Sequence, residues 1–419
     1  MSDSFSSTLL SQIREKFHHV DTCPYSGRRV YLENAGGSLT LKSVTERSAE
    51  LGALPDNGGR DNPASVALSS IVDQGKADLV SLLGFNGGIV FCGETGSECI
   101  FRIVRTAILQ SETGGSVACC ALEHPASYSA IQQWATNSGR ELINIPFDVA
   151  SATVTPEHYA TNIQPDTRVA TIIHTNPITG MVMDVRGITK AIRSISPDCL
   201  VIVDGIQHAA HGSIDLADVP IDAYVVSPYK VFSTFNDGFA WVSDRLSVLP
   251  HDRLAGKADN AWELGSRDPS AHAALTSIVD YLEWLGKQFT DEQNRDARLK
   301  AAGKAITRQE RALTQLILSG RDNLPGLEAY DSIHLIACPG REDHEGVVSF
   351  AVDGMTAQEV VAELAEDNIR IHARVDDAYS GNILRPLNLT SVSRVSLGHY
   401  NSAEEIELFL TSVARFVPK

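Results

Sequence analysis

Between about residues 88 and 242 the chain repeats one pattern: a short apolar run, a polar turn, then a stretch of mixed polarity. The runs are Gly88-Ile89-Val90-Phe91, Val117-Ala118-Cys119-Cys120, Val169-Ala170-Thr171-Ile172-Ile173, Leu200-Val201-Ile202-Val203, Ala223-Tyr224-Val225-Val226 and Phe239-Ala240-Trp241-Val242. Continuous apolar runs belong to strands covered on both faces, so the series predicts an α/β fold with a mainly parallel sheet between layers of helices. Ligands on such sheets collect beyond the carboxyl ends of the strands. Thr95, His124, Asn176, Asp204 and Lys230 each follow one of these runs closely, which makes them candidates for a single site.

The pattern then changes period. From about Ala271 to Leu318 the chain reads as helical, with Leu275, Ile278, Tyr281, Leu282 and Leu285 at helix-like spacing. Beyond it, Gly346-Val347-Val348-Ser349-Phe350 predicts a strand, Thr356 to Glu366 a helix opened by Thr356, and Arg394-Val395-Ser396-Leu397 another strand. Ala403 to Phe416 predicts a terminal helix capped by Ser402 with Glu405 three residues on. The expected division is an N-terminal helical segment over residues 1–25 packing on the small domain, a large domain over 26–285 and a small α+β domain over 286–419. No repeat or low-complexity linker separates them, so they should pack together.

A chain of 419 residues, 43% apolar and 21% charged, can bury two cores. Its 35 basic and 52 acidic residues leave a formal charge of -17, which repels nucleic acid and anionic membrane surfaces. Neither is an expected partner. A bound phosphate would have to be held by local amides and hydroxyls. The first residues lack a basic-then-apolar leader, and no apolar run reaches the roughly 18 residues of a membrane span, which predicts a cytoplasmic protein. The 7 cysteines are odd in number and lack metal-ligand spacing, and no metal site is expected. Cys119-Cys120 lies in an apolar run and is predicted to be a buried strand rather than a redox pair.

The candidate chemistry centres on Lys230 and Asp204. Lys230 sits just past the Ala223–Val226 run, in Ser227-Pro228-Tyr229-Lys230, and Asp204 ends the run before it. A lysine amine acts covalently by condensing with an aldehyde, and an aspartate at the matching end of a neighbouring strand can keep a pyridinium nitrogen protonated; pyridoxal phosphate needs both. A lone lysine after a strand is usually exposed, so the pairing carries the argument. Cys92-Gly93-Glu94-Thr95-Gly96-Ser97-Glu98 joins a strand to a helix, where the amides and the hydroxyls of Thr95 and Ser97 can hold a dianion at the positive helix end.

In order and spacing, these motifs resemble the aminotransferase class V family of pyridoxal-phosphate enzymes, particularly its cysteine-desulfurase-like branch. The resemblance runs from Tyr31-Leu32-Glu33-Asn34-Ala35-Gly36-Gly37 to Val395-Ser396-Leu397-Gly398-His399-Tyr400-Asn401. It implies the fold type I architecture, with a mainly parallel seven-stranded sheet and a smaller α+β C-terminal domain. Lys230 would be the Schiff-base lysine, Asp204 the partner of the pyridinium nitrogen and His124 the ring that stacks on the cofactor. These three are the implied catalytic residues. Thr95, Gly96, Ser97 and Ser227 would hold the phosphate, while Gln207 and Asn176 would meet the ring oxygen. Trp262-Glu263-Leu264-Gly265-Ser266-Arg267 matches an element whose hydroxyl, here Ser266, reaches the phosphate of a neighbouring subunit, which implies a homodimer with shared sites. Arg394 matches the arginine that grips a substrate α-carboxylate, a role suited to a planar guanidinium. Asn34, Arg60 and Tyr379 are further candidates for the substrate pocket.

Two positions depart from the desulfurase pattern. The stretch His372-Ala373-Arg374-Val375-Asp376-Asp377-Ala378-Tyr379-Ser380-Gly381-Asn382, where those enzymes carry a persulfide-forming cysteine, has none, and Cys338 lies too early. Tyr229 stands where many relatives have histidine. The resemblance therefore implies an amino-acid substrate attacked at its α-carbon, with a β-eliminating lyase of the carbon–sulfur type favoured over an aminotransferase or an epimerase. Two other classes of protein lack the residues they need or leave these ones unused. A nucleotide-dependent oxidoreductase would need a Gly-x-Gly-x-x-Gly turn after the first strand, which is missing. A catalytically silent assembly protein would have no use for the lysine, aspartate and glutamine together.

Overall fold

A computed structural model describes residues 5–337 and 342–417, so Cys338 lies outside the described residues. Seven strands form the main sheet: β1 (Ile89–Gly93), β2 (Val117–Cys120), β3 (Leu142–Ile145), β4 (Val169–Ile173), β5 (Leu200–Asp204), β6 (Ala223–Val226) and β7 (Gly238–Val242). Their order is β1-β7-β6-β5-β4-β2-β3, and only β7 runs against its neighbours. Strands β2, β4, β5, β6 and β7 are buried at every residue, as their uninterrupted apolar composition requires. Strand β3 was not among the predicted runs. It lies at the sheet edge and is mostly half-buried or exposed, so its sequence carries Asn144 where a central strand would be apolar.

The helices between strands begin where the side chains cap them. Thr95 caps Gly96–Gln110, His124 caps Pro125–Ser138 with Pro125 opening it, and Asp184 caps Val185–Ile195. Cys119 and Cys120 are fully buried, and burial pushes the Cys120 thiol up to about 12, as expected of packing residues rather than a redox pair.

The predicted helical region from Ala271 is two helices, Pro269–Gly286 and Arg295–Ser319. The second leads to a four-stranded antiparallel sheet, β8 (Ile333–Leu335), β9 (Val347–Val352), β10 (His372–Val375) and β11 (Ser391–Ser396), in the order β8-β9-β11-β10. Thr356 and Ser402 cap the helices Ala357–Glu366 and Ala403–Phe416 through reciprocal side-chain bonds with Glu359 and Glu405. These elements share a core of their own around Phe350, Val395, Phe409 and Leu410.

The N-terminal residues reach both cores, with Ile13, Phe17 and Val20 in the large one. In the helix Ser7–Arg14, Arg14 donates to the Tyr400 carbonyl at 2.7 Å and pairs with Glu405 at 3.2 Å. Val30 and Leu32 belong to the small core, with Val30-Tyr31 pairing in parallel with Ile369-Arg370. Among the described residues, no helix is long and apolar enough to cross a membrane.

Candidate active site

The carboxyl ends of β5 and β6 bring Asp204, Gln207 and Lys230 together. Lys230 closes a one-turn helix after Ser227, is 7% exposed, and donates to Gln207 Oε1 at 3.0 Å. Burial, then the nearby Arg394, pulls its amine down to about 7, against the opposing pull of Asp204. Asp204 is buried at the end of β5, where Oδ2 accepts from Ser127 Oγ at 3.0 Å and Oδ1 from the Ile206 amide at 3.1 Å. Burial raises its pKa, and among the described residues no cation stands at ion-pairing distance.

The turn after β1 lies beside this cluster. Thr95 Oγ1 accepts from the Glu98 amide at 3.0 Å, and Thr95 and Ser97 are exposed at the start of their helix. The backbone here is tightly nested: a Cβ on Gly96 would come within 2.4 Å of Ser227 Oγ, and one on Gly238 within 2.1 Å of the Thr95 carbonyl carbon. Only glycine permits that approach, which sets the Ser227 hydroxyl against the start of the Gly96–Gln110 helix. His124 Nδ1 accepts from the Ala126 amide at 3.2 Å, so the neutral ring carries its proton on Nε2. Burial and the charges of Lys230 and Arg374 push its pKa down to about 3, which keeps it neutral.

Asn176 is spent largely on its own turn. Its Oδ1 accepts from the Ile178 and Thr179 amides at 2.8 and 2.9 Å, and Nδ2 donates to the Leu122 carbonyl at 2.8 Å. One amide hydrogen is left over.

The small sheet supplies the opposite wall. Arg394, on β11, is 2% exposed and donates from Nη1 to the Pro177 carbonyl at 2.8 Å, while Nε and Nη2 have no hydrogen-bond partner among the described residues. Burial, then the neighbouring Arg374, pulls it down to about 9. Asn34 ties the N-terminal segment to the small sheet, donating to the Ser396 carbonyl at 2.8 Å and accepting from the Tyr400 hydroxyl. Tyr379 is 68% exposed, with its carbonyl accepting from Arg374 at 2.7 Å. Arg60 lies exposed on the loop before the helix Pro63–Leu83 and does not join the cluster. Ser266 is also exposed, on a strap fixed by Lys76–Glu263 at 2.9 Å and by Arg267 donating to the Gly93 carbonyl at 2.6 Å.

Sequence reading missed four contributors. Ser127 was visible three residues past His124, yet its bond to Asp204 depends on how two strands align. Arg374 lies two residues past His372, which pairs with Arg394 across β10 and β11, so alternation places both arginines on one face. His211 and Glu310 bond each other behind Gln207 at 2.8 Å. Only the spacing of four between Gln207 and His211 gave a signal. Among the described residues, no group of three or more His, Cys, Asp or Glu side chains is placed to hold a metal ion.

This architecture has close counterparts among solved structures. The apo cysteine desulfurase from Thermococcus onnurineus superposes with a TM-score of 0.81 at 18% identity, covering 97% of this chain and 98% of that one. The cysteine desulfurase CsdA from Escherichia coli gives 0.78 at 19%, again covering 97% and 98%. Together with the mainly parallel seven-stranded sheet, they show that the molecule has the same α/β fold as these two structures.

The family model for aminotransferase class V matches residues 30–294 and 297–409, and the chain belongs to that family of pyridoxal-phosphate-dependent enzymes. It is 24% identical to the aminotransferase-like protein FGM3 of Gibberella zeae, over 98% of this chain and 99% of that protein. It is likewise 24% identical to the cysteine desulfurase-like protein ustD of Aspergillus flavus, over 94% of this chain and 88% of that one.

The residues present fit pyridoxal phosphate. A buried amine, a buried carboxylate with no cation at ion-pairing distance among the described residues, and a helix start where Gly96 packs against the Ser227 hydroxyl suit the aldehyde, the pyridinium and the phosphate.

Proposed function

We propose that the protein acts at the α-carbon of an amino acid and expels a β-substituent, as a lyase of the carbon–sulfur type working in a homodimer. When bound, pyridoxal phosphate supplies an aldehyde that captures amines and a ring that takes up electrons released at the α-carbon. Asp204 would hold the ring nitrogen protonated, and the Thr95–Ser97 amides with the Ser227 hydroxyl would anchor the phosphate. Arg394 has two open donor groups for the substrate α-carboxylate, which fixes the substrate in one orientation. Arg374 adds a second positive charge to the same wall. Once displaced from the cofactor, Lys230 takes the α-proton as a free base.

The observation that carries this reading is the Lys230 amine, buried and drawn down to about 7 with Gln207 as its hydrogen-bond partner. A base tuned near the working pH is suited to removing a carbon-bound proton. The alternative of storing sulfur on an enzyme thiol has little support. The 372–382 stretch holds no cysteine, Cys92, Cys99, Cys119, Cys120 and Cys199 are buried with their thiols pushed up, and Cys23, half-exposed with its thiol lowered to about 7, sits on a two-stranded hairpin with Gly27-Arg28 rather than at the strand ends of the main sheet. The sulfur would leave into solution. The step is redox-neutral: the α-proton goes to Lys230, the electron pair it leaves forms the Cα–Cβ double bond, and the substituent departs with the Cβ bonding pair. Hydrolysis of the product then gives a 2-oxo acid and ammonia.

The loaded enzyme, given cysteine and other amino acids with β-leaving groups, should release 2-oxo acid and ammonia in equal amounts without any added acceptor. Turnover that requires a 2-oxo acid acceptor would assign it to transamination instead. Sedimentation tests the shared site, since a monomer at working concentrations leaves Ser266 without a neighbouring phosphate to reach.

A further inference from the structure

Behind Lys230 runs a chain of four buried side chains. Lys230 Nζ meets Gln207 Oε1 at 3.0 Å, Gln207 Nε2 meets His211 Nε2 at 2.8 Å, and His211 Nδ1 meets Glu310 Oε2 at 2.8 Å. Gln207 and His211 flank a single helical turn after β5, while Glu310 reaches across from the helix Arg295–Ser319. All four are under 10% exposed, with exposures of 7%, 4%, 3% and 3%, so water cannot readily replace one of the links.

An amide has one accepting end and one donating end, and a histidine facing a carboxylate through Nδ1 donates there in either charge state. The chain therefore has two self-consistent settings. With Lys230 as an ammonium, Gln207 must turn its oxygen to the lysine and its NH2 to His211, whose Nε2 then has to be a bare acceptor on a neutral ring. With His211 as an imidazolium, Nε2 donates, and Gln207 turns its oxygen that way. Its NH2 then points to the lysine side and needs an acceptor, either a free-base amine or an oxygen of the bound cofactor. A cation at both ends would leave two donors competing for one amide oxygen and the amide's own NH2 facing a donor. In a buried site such a mismatch is costly.

We propose that Gln207 makes the charges on Lys230 and His211 mutually exclusive, so that His211, protonated against Glu310, is the positioning residue that holds Lys230 as a free base and turns the Gln207 N–H toward the cofactor. The claim rests on the functional reading above, in which Lys230 and Gln207 face pyridoxal phosphate.

In this structure Gln207 turns its oxygen to Lys230 and its NH2 to His211, the first setting; turning the amide over exchanges the two, and the groups around His211 favour the second. Glu310 faces it from the helix Arg295–Ser319, Glu345 from the segment before β9, Lys230 from the turn after β6 and His399 from the segment after β11. Burial acts to lower its pKa, but the charge and hydrogen bond of Glu310 and the charge of Glu345 outweigh that and raise it to about 9. Glu345 is itself paired with His208 at 2.6 Å. His399 is held neutral by burial, its pKa pushed down to about 3. From neutral pH up to about 9, the proton belongs on His211.

The test uses the full-length chain with nitrogen-15 labelled histidine, loaded with pyridoxal phosphate, and compares the native sequence with Glu310→Gln. The His211 signal, identified by its loss in His211→Asn, should report an imidazolium that deprotonates only near pH 9. In Glu310→Gln, His211 should be neutral at pH 8. The pH midpoint of the visible absorbance band should then rise by about one unit, because a nearby positive charge and a donor to the ring oxygen are lost together. A neutral His211 in the loaded native protein at pH 7 overturns the proposal, as does a cationic His211 whose loss leaves the midpoint in place. Should Glu310→Gln misfold, the native titration alone still decides the first point. Failure of the protein to take up pyridoxal phosphate sinks the functional reading instead; in that case the unloaded protein still tests the exclusion, through whether His211 and Lys230 are ever charged together.

Discussion

The two walls of the site are built in opposite ways. At the strand ends of the large sheet, Asp204, Gln207 and Lys230 are already bonded to one another's neighbours, through Ser127, the Ile206 amide and His211. On the small-sheet wall, Arg394 keeps two donor groups open, and Arg374 lies beside it with its Nε also unpartnered. A wall completed within the chain can fix charge and proton positions before anything binds. A wall with open guanidinium donors waits for an anion, since a buried cation without one is costly. The difference matches the proposed division of labour, with a resident cofactor on one side and a transient carboxylate on the other.

The sharpest way to break the comparison is Lys230→Ala. Activity should fall by about a thousandfold or more, and the visible band that borohydride bleaches should disappear, because both the covalent anchor and the base are removed. Retention of that band would mean the prepared wall is not where the cofactor attaches.

The next test is thermodynamic and uses the unloaded protein. Lys230 has its amine at about 7 when folded and at the ordinary 10.5 when unfolded. Between those values the unfolded chain binds the extra proton, so stability falls as pH drops from about 10.5 to about 7 and this contribution levels off below. Lys230→Met should remove that slope and raise stability at pH 7 by on the order of a few kcal/mol, measured by urea unfolding at pH 7 and pH 10. An unchanged slope would show that the amine is not desolvated.

Arg394→Lys separates the two walls directly. Losing the fork should lower kcat/KM by about tenfold to a hundredfold, the cost of one or two hydrogen bonds between charged groups, with the rise mostly in KM. The visible band should be unchanged; loss of cofactor in this variant would merge the walls into one unit.

Tyr379→Ala should have the smallest effect. The side chain is 68% exposed and Arg374 uses its carbonyl, so kcat/KM should change less than about threefold and unfolding by less than about 0.5 kcal/mol. A large loss would place the phenol against substrate in the working enzyme.

The amino-acid sequence by itself determined the parts in which chemistry and chain direction coincide. A short uninterrupted apolar run bounded by turn residues suits a strand covered on both faces, and the residue after it then lies at the strand's carboxyl end. Asp204, Lys230 and the Thr95–Ser97 turn were therefore legible from order alone, as were the Ser402–Glu405 capping pair and the helix start at Thr356. The edge strand Leu142–Ile145 was not, because a half-buried strand needs no distinctive pattern. Contacts across long stretches of chain were equally hidden: Glu310 meets His211 from 99 residues away, and Arg374 joins Arg394 through strand register. Those meetings depend on how one packed layer settles against another, and a buried polar group shows its partner only once the packing has chosen it. The tertiary structure alone decided which donors were satisfied and which, like those of Arg394, were left open.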